Sequence, residues 1–243
     1  MRKSFLISLS CCLIGIGIFV VWDRTEYSEQ GYSVFYWDGQ NYKEEEKDIS
    51  SSTEVITEPK QEIDFDYDGE NEKVILDNGV VSIHRKGEVW WQSDSDWQVE
   101  NILLADLNWD GKIELNMSLW KRGSFGDDLP FWVEENDTDF GNHFFIYGFK
   151  DGEIRPIWCS STIDYPIYKM AASDINDDGK DELIVLENTY GQSQDALVRY
   201  VSIWSWNGWG FSNDFRSDED EFYDLEIRED LDGKNYIIVK NRP

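Results

Sequence analysis

Three stretches of the chain set oxygen-bearing side chains at alternate positions and then turn on a glycine: DFDYDGENE from Asp64, DLNWDGKIE from Asp106 and DINDDGKDE from Asp174. Alternate side chains of a tight loop converge on one point, and glycine at position six permits the sharp reversal. A hard divalent cation takes six to eight oxygens around one centre, so this pattern predicts calcium loops. The predicted side-chain ligands are Asp64, Asp66, Asp68 and Glu72 in the first loop, Asp106, Asn108, Asp110 and Glu114 in the second, and Asp174, Asn176, Asp178 and Glu182 in the third. Position seven (Glu70, Lys112, Lys180) is expected to contribute a main-chain carbonyl to each cage.

An EF-hand opens the same way but closes with a glutamate at position twelve on an incoming helix. Position twelve here is Ile75, Met117 and Val185, and each loop runs into a β-rich apolar segment: KVIL, ELNMSL, ELIVLE. The loop therefore exits into a strand. A fourth copy, REDLDGKNY, keeps Asp230, Asp232 and Gly233 but begins with Arg228 and ends on Tyr236, so it is expected to retain the turn and lose the ion.

These loops resemble those of FG-GAP and VCBS-type repeats, the calcium-loop repeats of integrin-α-like β-propellers. The resemblance covers roughly residues 62–240 and implies a loop between the first two strands of a blade, with calcium stiffening the turn. The ninth position is glutamate here, and no Phe-Gly/Gly-Ala-Pro signature is legible.

Between the loops lie aromatic-rich hairpin signals built on glycine turns, in YWDGQNY, HRKGEVWW, GFKDGEIRPIW and WSWNGWGF, with another turn at Asn78-Gly79. Each unit thus reads strand, acidic loop, strand, turn, strand, glycine turn, strand. A half unit near Tyr32–Tyr42 and a complementary half near Tyr223–Val239 would combine into one more. The expected fold is all-β: a small β-propeller of about four blades, closed circularly by N- and C-terminal half blades. An open β-sandwich built from the same hairpins is the alternative. Residues 43–61 read as a polar excursion within residues 23–243.

Residues 1–22 read as a signal or membrane anchor: Arg2 and Lys3 precede an uncharged stretch from Ser4 to Trp22. A retained anchor, a cleaved signal and a lipoprotein acylated near Cys11 and Cys12 stay open. Each puts the main domain outside the cytoplasmic membrane, periplasmic or extracellular. The net charge of −28 repels phosphate backbones and argues against nucleic acid. The 12 Trp, 12 Tyr and 13 Phe supply a core for pleated strands.

Catalytic signals are sparse. His84 and His143 are expected to be packed or rim residues, Cys159 a buried thiol, and no nucleophile elbow, phosphate loop or His-Glu-x-x-His occurs. Asp127-Asp128 and Glu134-Glu135 are the acid pairs a glycosidase would need. The insert between Lys121 and Asn142 mixes Phe125, Phe131 and Trp132 with acids and suits a contact surface. The resulting expectation is a non-enzymatic module, stabilised by Ca²⁺, that binds or scaffolds a protein or glycan ligand at the cell envelope. The alternatives are a carbohydrate-active hydrolase on the same fold and an integrin-like adhesion module.

Overall fold

The computed structural model describes residues 7–9, 18–20, 31–46, 54–55, 61–124, 131, 134–135, 137–191 and 198–241. Two compact units divide the chain, Met1–Gln30 and Gly31–Arg242. In the first, β1 (Ile7–Leu9) pairs antiparallel with β2 (Ile18–Val20). Among the described residues no helix is long and apolar enough to cross a membrane.

The second unit is all-β and consists of antiparallel sheets. The first sheet runs β6 (Glu62–Ile63), β7 (Glu72–Asp77), β8 (Val80–Arg85), β9 (Glu88–Gln92). The second runs β10 (Gln98–Ala105), β11 (Glu114–Arg122), β12 (Phe140–Lys150), β13 (Glu153–Cys159). The third runs β14 (Ile167–Ser173), β15 (Glu182–Glu187), β16 (Tyr200–Trp206), β17 (Phe211–Arg216). Each follows chain order, the meander expected when short turns join neighbours. The glycine turns fit their sequences: Asn78 and Gly79 have φ of +49° and +81°, a pair of left-handed residues that lets two strands close on a two-residue hairpin.

The last sheet joins the two ends of the unit. Its order is β4 (Tyr42–Glu46), β3 (Tyr32–Trp37), β19 (Asn235–Asn241), β18 (Phe222–Glu229), β5 (Glu54–Val55). Phe35 is opposite Ile237 and Val34 opposite Ile238, so the expected union of the two half units is present. Within the polar stretch 43–61, the first residues belong to β4 and Glu54–Val55 adds an edge strand beside β18. The alternation of side chains in YKEEE allows pairing on β3 even though the run is charged. The rest of that stretch, up to residue 60, lies outside the described residues.

Three apolar clusters hold neighbouring sheets together. Val74, Val81 and Ile83 meet Leu115, Met117 and Leu119 between the first and second sheets. Ile146 and Phe144 meet Met170 and Val185 between the second and third. Ile184, Leu186 and Ile203 meet Phe35, Ile227, Ile237 and Val239 between the third and the last. The middle sheets are thus covered on both faces, which is why β15 is buried at every residue and reads as an unbroken apolar run flanked by glutamates. In β8 only one face is buried, and its sequence alternates. β14 lies beside both β10 and β18, so the third sheet meets the second and the last through this strand.

One smaller expectation differs. Cys159 is exposed, because it is the last residue of the edge strand β13. His143 is packed as expected, fully buried in β12 and 5.6 Å from the Phe145 ring.

Phe35 ties the N-terminal hairpin to the third sheet through Phe215, with 5.8 Å between ring centroids, and packs on Phe222 of its own sheet at 6.4 Å. Phe35→Ala should destabilise the protein by about 3–5 kcal/mol in urea unfolding. Trp209→Ala, at an exposed hairpin tip, should stay within about 0.5 kcal/mol. Equal losses would mean that the first hairpin is not part of the core.

Candidate metal centre

The three full acidic loops occupy one topological position, between the first and second strands of their sheets, and the degenerate fourth joins β18 to β19 in the last sheet. The glycine turns joining third to fourth strands lie at the same end. Position two plugs each of the three full loops into the core: Phe65, Leu107 and Ile175 are buried, each in a different intersheet cluster. The backbone then turns left-handed twice. Tyr67, Trp109 and Asp177 at position four have φ of +60°, +60° and +62°, and Gly69, Gly111 and Gly179 have +91°, +85° and +82°. Left-handed φ at a bulky residue costs energy and persists only where surroundings fix it.

The fixing groups are the predicted ligands themselves. Asp64 accepts hydrogen bonds from the backbone N–H groups of Asp68 and Gly69, at 3.0 and 2.9 Å. Asp106 does the same for Asp110 and Gly111, and Asp174 for Asp178 and Gly179. Asp66, Asn108 and Asn176 accept from the residue at position five, and Asp68, Asp110 and Asp178 from Glu70, Lys112 and Lys180 at position seven. Every predicted side-chain ligand therefore faces into its loop.

The ninth residue closes each loop from below. Glu72, Glu114 and Glu182 are the first residues of β7, β11 and β15 and are 1 %, 2 % and 0 % exposed. Glu72 and Glu182 accept from the backbone N–H of the position-two residue, each at 2.9 Å. Asn108 and Asn176 donate to Glu114 and Glu182, at 3.0 and 2.8 Å. Glu114 Oε2 is buried with no hydrogen-bond partner. A buried carboxylate oxygen left unpaired is expensive, and it is the atom a cation would satisfy. Carboxylates gather within 4.8 Å of one another in two places: Asp64, Asp66 and Glu72, and Asp106, Asp110 and Glu114.

Electrostatics agree with that geometry. Burial, then the neighbouring Asp110 and Asp106, pushes the Glu114 carboxyl up to about 8. Burial, with Asp178 and Asp174 beside it, raises Glu182 to about 7 against the bond from Ile175. Glu72 is raised by burial too, opposed by the Phe65 bond and by Arg85.

The loops also touch one another. Trp109 of the second loop donates its indole N–H to the Asp181 carbonyl of the third at 3.0 Å, and Lys180 sits 4.3 Å over the Trp109 ring. Asn235 donates to the Asp174 carbonyl at 2.8 Å and links the degenerate fourth loop to the third. In that fourth loop the Tyr236 hydroxyl donates to Asp230 at 3.1 Å, a neutral group standing where the others have a glutamate. Arg228 turns instead to Glu226, at 2.8 Å.

No family profile, curated protein sequence or solved structure matches the chain. The loop chemistry rests on the geometry alone.

Several contributors escaped the sequence pattern. The apolar residue at position two was visible in all three copies as Phe65, Leu107 and Ile175. Arg85 and Trp109 were not, since their roles depend on which loop lies beside which. Of the acid pairs considered for glycoside hydrolysis, Glu134 and Glu135 are exposed, and Asp127 and Asp128 lie outside the described residues.

The raised carboxyls fix the sign of a pH response. Folded Glu114 and Glu182 hold protons that the unfolded chain, with an ordinary value of 4.5, releases. Their contribution to stability is complete below about 4.5 and is lost as pH rises through about 7 and 8. In chelator, the melting temperature should therefore fall between pH 5 and pH 9, and the Glu114→Gln/Glu182→Gln variant should show a flatter profile. A metal-free wild type that gains stability over this range would contradict the buried, uncompensated carboxyls.

Proposed function

We propose that the protein is a calcium-stabilised, non-enzymatic binding or scaffolding module of the cell envelope, built as a small β-propeller of FG-GAP/VCBS type. The observation that carries the calcium reading is Glu114 Oε2, a buried oxygen without a partner beside Asp106, Asn108 and Asp110. All-oxygen donors, mostly carboxylates, match a hard cation and give a soft or imidazole-seeking metal nothing to prefer. The second loop would hold the ion with Asp106, Asn108, Asp110 and Glu114, the third with Asp174, Asn176, Asp178 and Glu182. Bound there, the ion would supply the positive charge that lets the loop carboxylates remain ionised.

The propeller reading is supported by the repeated four-stranded meanders, by the contacts of β14 with β10 and β18, and by the last sheet shared between the ends. Sheets that meet edge-on around an axis leave their ends as broad surfaces, which suits binding rather than a deep catalytic cleft. The end away from the loops supports a ligand contact. There Trp120 stacks on Phe140, with 5.6 Å between centroids and 18° between planes, and Tyr190 abuts Trp120 edge-on. Phe140 and Tyr190 are exposed, as is Phe131 of the insert at 97 %. Aromatic faces among acids fit a glycan or a protein surface. The run from Ser4 to Trp22 supports anchoring, with the β-domain outside the membrane.

Calcium that binds only the folded state adds RT ln(1 + [L]/Kd). With a Kd of roughly 10⁻⁴ M, typical of extracellular sites, about 1 mM calcium should contribute about 1 kcal/mol per loop. For a domain of this size that is roughly 2–4 °C in Tm per loop. Thermal melts in CaCl₂ and in EGTA measure it, and a Tm indifferent to both would end the calcium reading.

The anchor has its own test. The full chain should stay in the membrane pellet after a carbonate wash, whereas residues 31–243 expressed alone should remain in the supernatant. Release of the intact full chain by carbonate would exclude a spanning segment.

A further inference from the structure

The three full loops are alike in sequence but not in what surrounds them. At the end of β8, the position opposite Glu72 is taken by Arg85, one step beyond the Lys73–His84 pair. Its guanidinium enters the first loop. Nη2 stands 2.5 Å from Asp66 Oδ2 and 2.7 Å from Asp68 Oδ2, and Nε is 3.8 Å from Glu72 Oε1. The Trp90 ring lies 5.1 Å from the guanidinium carbon and holds the group from its other side. The adjacent Lys86 pairs with Glu70 at 2.9 Å.

The same register position in the other sheets cannot deliver a charge. Opposite Glu114 it is Gly148, one step beyond the Leu115–Tyr147 pair. A Cβ there would come within 3.1 Å of Glu114 Cγ and 3.2 Å of Ile157 Cγ1, so even a methyl group would require one of these side chains to shift. Opposite Glu182 it is Ser205, one step beyond the Leu183–Trp204 pair, and its hydroxyl donates to Asp214. Among the described residues no lysine or arginine forms an ion pair with the ligand acids Asp106, Asp110 and Glu114 of the second loop or Asp174, Asp178 and Glu182 of the third.

We infer that the first loop carries its own cation: Arg85 occupies it in place of a metal ion, so the protein takes calcium at the second and third loops only. A guanidinium offers several donors in a rigid fork that suits carboxylate oxygens, and it is always charged. Tethered on the neighbouring strand, it is present at high effective concentration whatever the calcium level. An incoming divalent ion would have to displace it from three acids and then tolerate a fixed positive charge a few ångströms away. The first loop is therefore set at synthesis and indifferent to calcium, while the other two respond to it. This inference rests on the calcium reading of the second and third loops.

The test is the number of ions bound by the full chain, by calorimetric titration with calcium chloride or by equilibrium dialysis. Wild type should bind two. Arg85→Ser, which installs the residue found opposite Glu182, should bind three, and Arg85→Lys, which keeps the charge, should bind two. Three ions in wild type, or still two in a folded Arg85→Ser protein, would overturn the role given to Arg85. No ion bound by wild type would instead defeat the calcium reading itself, and with it the count of two. Hydrogen exchange on wild type gives an answer independent of the variants. Adding EGTA should leave the Asp68 and Gly69 amides protected while the Asp110, Gly111, Asp178 and Gly179 amides lose protection at least tenfold. Equal loss in all three loops would overturn the inference.

Discussion

A glutamate at the first residue of an interior strand is the constraint around which each of the first three sheets is arranged. Glu72, Glu114 and Glu182 enter the protein where apolar clusters begin, and a carboxylate there must be neutralised, solvated by donors or protonated. The preceding loop supplies part of the answer through backbone N–H groups and asparagine amides. It also adds two or three further acids, which worsens the charge. Burial and repulsion together leave each of these loops in need of a countercharge, more donors or a proton.

The protein meets that demand in different ways along one rim. The first loop has a guanidinium, the second and third are left with only neutral donors, and the fourth has exchanged its glutamate for a tyrosine hydroxyl that bonds Asp230. Glycine opposite Glu114 and serine opposite Glu182 show that the difference is set by one register position on the third strand. The backbone of the three full loops is the same in each case, including the left-handed residue at position four. Loop shape and loop charge are thus separable: the aspartate-to-amide bonds fix the first, and the facing strand decides the second.

Much of this was legible in the residues because local chemistry dictates it. Asp-x-Asp/Asn-x-Asp-Gly specifies its own turn, ELIVLE announces a strand covered on both faces, and Asn78-Gly79 announces a hairpin. The complementary halves near Tyr32 and Tyr223 foretold a shared sheet because each lacked what the other had. What could not be read was lateral. That Arg85 enters the first loop, or that Trp109 spans to Asp181, depends on strand register and on which sheet neighbours which. Cys159 was misplaced for a related reason, since an apolar neighbourhood in sequence does not reveal an edge strand.

The shared last sheet sets the order in which this protein can come into being. Asn241 donates to the Ser33 hydroxyl across 208 residues of sequence, and β3 gains its inner neighbour β19 only after the three intervening sheets have been made. Contacts so distant along the chain slow folding, because most of the polypeptide must be ordered before they close. During synthesis the first hairpin waits with one edge of β3 unpaired and its aromatic side chains uncovered, a state open to mispairing with other chains. Arrival of β19, rather than the emergence of any one of the first three sheets, is the event that commits the β-domain to its native form.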